Sequence, residues 1–441
     1  MTKLSLRDNF CSSPWFHVRI NPAGYYVPCR WASEWRPEDG VTDYHVSEYT
    51  IQEYMNSAEM RDFRTNHLMG ARPPQCVGCY YEDSHGKLSG RHKQLLKSGI
   101  QYRNFEKTFC SSPHWSAFEH SYNNQGHTQH MPTDIQIDLG NTCNSSCIMC
   151  NPTYSSRLAR DYKKLHKISP ALFVKYAPVK NWADDPQLVD KFIDGLLDIS
   201  GIKYIHFLGG ETLYLESFYT ICERIIERGI SGDIIVGTTT NGTVYNSRVE
   251  RIAKHFKEFH VGVSIETVDQ LNDYVRYPAN TNQVLTNIEK FKQLSVQLTL
   301  RITPSVLTIY RLPELFHYML VNNVIAESCN ILSDPSCLRI ELLPNDLREQ
   351  VLDKIDMVIK LHKLLENSAV LNRRRQDLVR EVITNLVFEY KQLLENIQPP
   401  ADSEQQRANL VEFLQAFEQL RGNSILDCLP EYEEFLRSYG Y

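Results

Sequence analysis

Cys143, Cys147 and Cys150 lie on one short stretch, DIQIDLGNTCNSSCIMCNP, directly after a run that alternates apolar and polar residues. Thiolates spaced CxxxCxxC on a single loop can hold three corners of an iron–sulfur cubane. The fourth iron then lacks a protein ligand and keeps a position open for a substrate or cofactor. The same thiols could serve a structural zinc ion that borrows a ligand from elsewhere, although zinc sites more often pair cysteines as CxxC knuckles. A second set consists of Cys11, Cys29, Cys76 and Cys79. Cys11 and Cys29 bracket SSPWFHVRINPAGYYVP, and Cys76 and Cys79 form the knuckle in QCVGCYYED. On spacing alone these four fit zinc or a fully ligated cubane equally well.

Other cysteines carry weaker chemistry. Cys110, in FCSSPHW, echoes FCSSPWF at 10–16 and reads as a buried free thiol. Cys222 reads as core and Cys428 as packing. Cys329 and Cys337 flank the exit of the sixth strand expected below, where a thiol can quench a radical or ligate iron, and they are the catalytic candidates. His85 and Arg91 follow the CxxC knuckle and either face a substrate or are solvated.

The elements that must position these groups show in the patterning. Before about residue 130 the chain has few long periodic segments and is rich in aromatics, Gly and Pro. Strand-like runs then alternate with helical ones: DIQIDLG, YIHFLGG, IIVGTTTNG, FHVGVSIE, VQLTLRITP and IAESCNIL. Strands separated by helices imply a parallel sheet, and six such units suit an open (β/α)6 barrel of the TIM type. From Pro344 the pattern is helical, with Leu347, Val351, Ile355 and Val358, then Leu378, Val382, Leu386 and Tyr390, then Leu410, Phe413 and Phe417 at helical spacing. The expected class is therefore α/β, with a cysteine-rich region at 1–130, a partial barrel at 131–343 and a helical appendage at 344–441.

Composition narrows the setting. With 441 residues, 42% hydrophobic and 23% charged, the chain can bury the cores of two or three globular domains. No apolar run approaches the ~18 residues that cross a bilayer, and MTKLSLRDNFCSSPW lacks the apolar stretch of a secretory signal. A cytoplasmic protein is expected, and there clustered cysteines serve metal or redox chemistry more often than disulfides. The balance of 47 basic and 53 acidic residues argues against a broad nucleic-acid surface; only RRR at 373–375 is a basic cluster.

The CxxxCxxC loop after the first strand of a six-unit barrel resembles the radical S-adenosylmethionine (SAM) superfamily. Further segments resemble it in barrel order. Gly209, Gly210 and Glu211 match the GGE motif, whose backbone hydrogen-bonds the SAM amino group. Thr240 and Asn241, with Gly242, match a TNG segment; Ser264 and Glu266 end the fourth strand where relatives commonly carry a serine and an Asp. Arg276 matches a basic residue that meets the SAM carboxylate or the substrate, and Thr303 and Val306 lie where relatives pack the adenine. The Gly-x4-Cys and CxxC elements of the first 90 residues resemble the twitch domain, the shorter relative of SPASM, here placed ahead of the barrel instead of after it.

The resemblance implies a [4Fe-4S] cluster on Cys143, Cys147 and Cys150 that binds SAM, and an auxiliary [4Fe-4S] cluster on Cys11, Cys29, Cys76 and Cys79. It implies cleavage of SAM to a 5′-deoxyadenosyl radical that takes hydrogen from a peptide or small metabolite. An electron donor such as a flavodoxin or ferredoxin would supply the reductant. A non-catalytic iron–sulfur carrier and a zinc-stabilised binding module are the competing readings.

Overall fold

All six segments expected to be strands form strands in the computed structural model, which describes residues 3–32, 44–84, 88–329, 331–367 and 374–441. They are β3 (Asp134–Asp138), β4 (Tyr204–Leu208), β5 (Ile235–Thr240), β6 (Glu258–Ser264), β7 (Gln297–Ile302) and β8 (Ile325–Cys329). Two more precede them, β1 (His17–Ile20) and β2 (Tyr26–Val27). Together they make one eight-stranded sheet in the order β2-β1-β3-β4-β5-β6-β7-β8. Among the strand pairs of the described residues, β1–β2 is antiparallel and the other six are parallel. The partial barrel is thus extended at its first edge by a hairpin from the cysteine-rich region, with His17 opposite Asp134 and Ile20 opposite Ile137.

The hairpin closes through local chemistry. Asn21 Oδ1 accepts from the backbone N–H groups of Ala23 and Tyr25, both at 3.0 Å, an Asx-type turn. Gly24 follows at φ +95°, where a Cβ would strike the His45 ring at 2.5 Å. The turn therefore needs glycine for both conformation and space.

Between the parallel strands the chain forms amphipathic helices with recognisable starts. Ser155 caps Ser156–Ile168 by accepting from Leu158 N at 3.1 Å, and Asp185 caps Pro186–Leu197, whose first residue is proline. These helices cover the outer face of the sheet, where Ile135, Ile137, Ile205, Phe207, Val236, Val261 and Val263 are fully buried. On the first two of these strands, β3 and β4, most of the alternate residues, Asp134, Gln136, Asp138, Tyr204 and His206, are polar and face inward, which gives this side of the sheet a polar concave surface.

A separate aromatic core holds the segment around Cys11. Phe10 meets Phe109 edge-on at 4.8 Å, and Trp15 meets Phe118 at 5.0 Å. Trp15 Nε1 also donates to Ser121 Oγ at 2.8 Å. Phe10 and Phe109, the two echoing phenylalanines, share this core, yet their neighbouring cysteines part company. Cys11 is buried, whereas Cys110 ends the helix Phe105–Cys110 on its solvent side and is exposed, contrary to the buried thiol expected.

The C-terminal helices are Asn345–Asn367, Arg374–Asn396 and Ser403–Arg421. Leu347, Val351, Ile355 and Val358 are buried as expected. In the second helix the buried stripe runs through Ile383, Leu386, Val387, Tyr390 and Leu394; Val382 is exposed, and the side chain of Leu378 lies outside the described residues. In the third, Phe413 and Phe417 pack on Phe173 at 5.2 and 5.6 Å, and Gly422 ends the helix at φ +74°. No helix among the described residues is long and apolar enough to cross a membrane.

The tail returns to the barrel through one buried bond, from the Tyr432 hydroxyl to the Val306 carbonyl at 2.7 Å. Tyr432→Phe should cost about 1.5 kcal/mol of stability, read as a lowered urea midpoint, because the Val306 carbonyl is left buried without that donor.

Candidate active site

The parallel strands end in one layer, and the residues with chemical potential gather there. The loop after β3 carries Cys143, Cys147 and Cys150 and is fastened on several sides. Ser146 N donates to Tyr277 O at 2.6 Å and Ile148 N to Val275 O at 2.9 Å. Ser155 Oγ donates back to Ser145 O at 2.7 Å, and Asn181 Oδ1 accepts from Asn141 N at 2.8 Å. The three thiols share one space. Burial pushes Cys143 and Cys150 up to about 12, and each is raised further by its cysteine neighbours. Cys143 Sγ accepts from Ser145 N at 3.4 Å, and Arg276 Nη1 lies 3.8 Å from Cys147 Sγ.

Gly209, Gly210 and Glu211 follow β4 and press on this loop. A Cβ at Gly210, whose φ is +55°, would sit 2.1 Å from Thr142 O; one at Gly209 would sit 2.5 Å from Gly140 O. The glycines are thus needed for contact between two pieces of chain, whatever else approaches them. Glu211 is buried, and its N–H donates to Thr142 O at 3.0 Å. Its carboxylate accepts from Thr240 Oγ1 at 2.5 Å, Asn241 N at 2.7 Å and Leu213 N at 3.3 Å. Burial pushes this carboxyl above the usual carboxylate range, and those three donors oppose the rise. Asn241 extends the chain of bonds, with Nδ2 donating to Asn144 Oδ1 at 2.7 Å and to Ser145 Oγ at 2.9 Å. Thr240, Asn241 and Glu211 are brought together as a brace beneath the cysteine loop.

Across the layer, Glu266 accepts from Arg276 Nη2 at 2.5 Å and from Thr303 N at 2.7 Å. Burial opposes the Arg276 charge, but Glu266 and the Cys147 thiol hold the guanidinium above its usual range. Ser264 is half-buried at the last position of β6. Val306 is set apart from this group. It is fully buried, with its N–H donating to Leu338 O and its carbonyl taken by Tyr432. Cys337 is buried in the main core and pushed up to about 12 by burial, while the side chain of Cys329, at the end of β8, lies outside the described residues.

The four other cysteines meet at the opposite end of the sheet. Cys11 precedes β1; β2 runs antiparallel, so Cys29 returns to the end where Cys11 began. Cys76 and Cys79, on the turn Pro74–Cys76 and the helix Val77–Ser84, complete the group. All four are buried. Burial pushes Cys79 up to about 12, with Cys29 adding to it; it raises Cys76 too, with Cys11, Cys29 and Cys79 adding. Ser13 N donates to Cys11 Sγ at 3.4 Å. Arg91, buried, lies close enough to act on Cys11 and Cys76, and Asp83 holds it at 2.6 Å. His85 lies outside the described residues. The two cysteine sets are separated by at least one strand length, about 13 Å.

Both sets fit an iron–sulfur cubane. Among the described residues no three His, Cys, Asp or Glu side chains converge tightly enough to enclose a single metal ion. A cubane asks for a wider spacing, because each thiolate binds a different iron. Buried cysteines with backbone N–H donors and a cation nearby suit that anionic group.

The concave face links the two ends and was not anticipated from the sequence. Arg19 donates to Asp138 Oδ2 at 2.6 and 2.9 Å and to the Tyr154 hydroxyl at 2.8 Å; Gln136 Nε2 donates to Asp138 Oδ1 at 3.0 Å. Lower down, the Tyr204 hydroxyl lies 2.9 Å from His206 Nδ1, and burial keeps His206 neutral. The alternation of polar His17, Arg19, Asp134, Gln136, Asp138, Tyr204 and His206 with apolar neighbours in HVRI, DIQID and YIHFL was the available signal.

Residues 137–304 match the radical SAM superfamily, and residues 11–80 match SPASM, an iron–sulfur cluster-binding domain. The chain carries a radical SAM domain and, ahead of it, a SPASM domain. The first brings SAM and a [4Fe-4S] cluster as cofactors, the second an auxiliary iron–sulfur cluster. Among solved structures the chain is similar to native anSMEcpe with bound AdoMet, at 16% identity and a TM-score of 0.38, over 54% of this chain and 63% of that one. It thus spans less than two thirds of that protein. It is also similar to Streptococcus suis SuiB bound to S-adenosylmethionine, at 13% identity and a TM-score of 0.34, over 79% of this chain and 71% of that one. SuiB bound to its precursor peptide SuiA matches at 13% identity and 0.35, over 79% and 70%. No curated protein matches the chain.

The contact between Gly210 and Thr142 makes a sharp test. Gly210→Ala should displace the loop beside Cys143 and lower iron per chain by about half, with the SPASM share retained. Gly201→Ala is the control: φ is +84° but nothing lies within 4 Å, so it should cost only about 1 kcal/mol and keep all the iron.

Proposed function

We propose that this chain is a radical SAM enzyme that takes a hydrogen atom from a polar peptide or small metabolite, with the SPASM-region cluster assisting at the far end of the barrel. The observation that carries this reading is the gathering of Cys143, Cys147 and Cys150 at the strand ends with Glu211, Asn241 and Arg276 packed around them. When bound, the cluster supplies the electron that cleaves the SAM sulfonium to methionine and a 5′-deoxyadenosyl radical, which abstracts the substrate hydrogen.

The chain's own part is to hold and orient. Cys143, Cys147 and Cys150 would hold the cluster in this reading, leaving one iron without a protein ligand. Gly209 and Gly210 bring backbone polar groups to the SAM amino group, and Arg276 offers a guanidinium to its carboxylate while Glu266 keeps that side chain in place. Thr240, Asn241, Ser264 and Thr303 shape the remaining wall. Glu211, beside Gly209 and Gly210, braces the loop through Asn241 and lies in the GGE segment that meets the SAM amino group. Val306, closed in by Leu338 and Tyr432, supports the adenine side from behind.

The substrate occupies the polar concave face, where Arg19, Asp138 and Gln136 offer donors and acceptors to amide or carboxylate groups. Proximity is decisive, because hydrogen transfer requires the substrate carbon to touch the 5′-carbon. Cys11, Cys29, Cys76 and Cys79 would hold the auxiliary cluster, which would supply one-electron redox chemistry at that end. A low-potential donor of the flavodoxin or ferredoxin type completes the cycle, in the reducing cytoplasm that free thiols favour. Residues 1–130, 131–343 and 344–441 are the working units, with β1 and β2 lent by the first to the sheet of the second.

Anaerobic reconstitution should give brown protein with about eight irons per chain, and reductant plus SAM should release 5′-deoxyadenosine. Colourless protein, or iron without SAM cleavage, would refute the assignment. Cys76→Ala should lose about half the iron while SAM still perturbs the EPR signal of what remains.

A further inference from the structure

The helix Ser403–Arg421 ends on the cysteine loop. Arg421, its final residue, has a side chain only 2% exposed. Nη2 donates to Ser146 O at 2.6 Å and to Ser146 Oγ at 3.3 Å, and Nη1 donates to Tyr274 O at 3.3 Å. The guanidinium lies 4.3 Å from the Phe417 ring centroid and 4.8 Å from that of Tyr277. Ser146 immediately precedes Cys147, and its hydroxyl donates to Asp161 at 2.5 Å. Cys147 therefore stands between two buried guanidinium groups, Arg276 on the strand-end side and Arg421 on the outer side.

The two cations are not equivalent. Arg276 is paired with Glu266 at 2.5 Å. Arg421 spends its hydrogen bonds on neutral carbonyls and a hydroxyl, and its nearest carboxylate, Asp161, is 4.0 Å away. Its positive charge is only partly compensated and is held on Ser146, the residue directly before Cys147. A charge in such a low-dielectric position has more effect than the same charge at the surface.

We propose that Arg421 is a positioning residue for the SAM-binding cluster, fastening the loop through Ser146 and placing a positive charge beside Cys147 that favours the reduced cluster. The inference rests on the proposed function, because it presumes a cluster on Cys143, Cys147 and Cys150. Reduction adds one negative charge to the cluster, so a nearby fixed cation stabilises the reduced state more than the oxidised one. A merely mechanical clamp would leave that balance unmoved.

The test is a redox titration of the anaerobic holoenzyme with titanium(III) citrate, following the EPR signal that changes when SAM is added, with iron per chain measured alongside. At a fixed potential, Arg421→Met should lower the ratio of reduced to oxidised cluster about tenfold, equivalent to about 59 mV for a one-electron couple. Arg421→Lys, which keeps the charge, should remain within about threefold of the wild type. Asp161→Asn removes a negative charge from the same place and should raise the ratio. A Met variant with full iron and an unmoved midpoint overturns the proposal, as does a Lys variant displaced as far as the Met one. Should Arg421→Met fail to load, Asp161→Asn decides: a raised ratio supports the proposal and an unchanged or lowered one overturns it. Wild-type protein that takes up no iron overturns the proposed function and this inference together.

Discussion

A carboxylate buried without a cation among its hydrogen-bond partners is expensive, on the order of several kcal/mol unless donors replace water. Glu211 is such a group, and its donors come from β5 and from its own turn: Thr240 Oγ1, Asn241 N and Leu213 N. Satisfying it ties the end of β4 to the end of β5. Its own N–H and the bare face of Gly210 then rest on Thr142, one residue before the first cysteine of the loop. Asn241 completes the tie by reaching Asn144 and Ser145. The loop is thereby set by the sheet before any iron arrives, which is the preorganisation a reactive centre needs. Cluster iron takes thiolates, so binding a cluster to these three cysteines releases protons.

The concave face obeys a different rule from that of an ordinary closed barrel. There, branched aliphatic side chains in layers fill the interior and leave no room for a ligand. Here the apolar residues point outward to the helices, and the inward positions hold Arg19, Asp138, Gln136 and His206. Gly237 and Gly262 allow this, since a Cβ at either would collide with His206 or with Arg301. A polar interior costs stability unless every group is paired. Here Arg19, Gln136 and Asp138 pair with one another, and Tyr204 with His206.

Much of this was legible in the sequence, for reasons that are local. Strands β3 to β8 announce themselves by alternation and by runs of β-branched residues, and CxxxCxxC states its chemistry by spacing. What stayed hidden depends on contacts between distant parts. The strands β1 and β2 are four and two residues long, and they exist because β3 offers an edge to pair with. Gly209 and Gly210 look like room for a ligand, whereas the nearest matter to them is the chain itself. Cys110 and Cys11 sit in nearly the same heptapeptide, and only the helix end at Cys110 turns one outward. Arg421 lies 275 residues from Ser146 along the chain, and no periodicity connects them.

The order of the two halves also has a physical account. A cysteine set built on an antiparallel hairpin closes on itself: Cys11 and Cys29 end together because β2 retraces β1. What the hairpin asks of the barrel is a free edge at β3, and that edge is the same whether the hairpin is spliced before the barrel or after it. The entropic cost of the longer connection grows only with the logarithm of its length. The aromatic core of Phe10, Trp15, Phe109 and Phe118 then buries the segment leading into Cys11, and Thr133 N bonds to Phe16 O at 3.0 Å, joining the end of the N-terminal region to the start of β3. Edge pairing at β3 and local burial thus fix where the cysteine-rich region sits against the sheet.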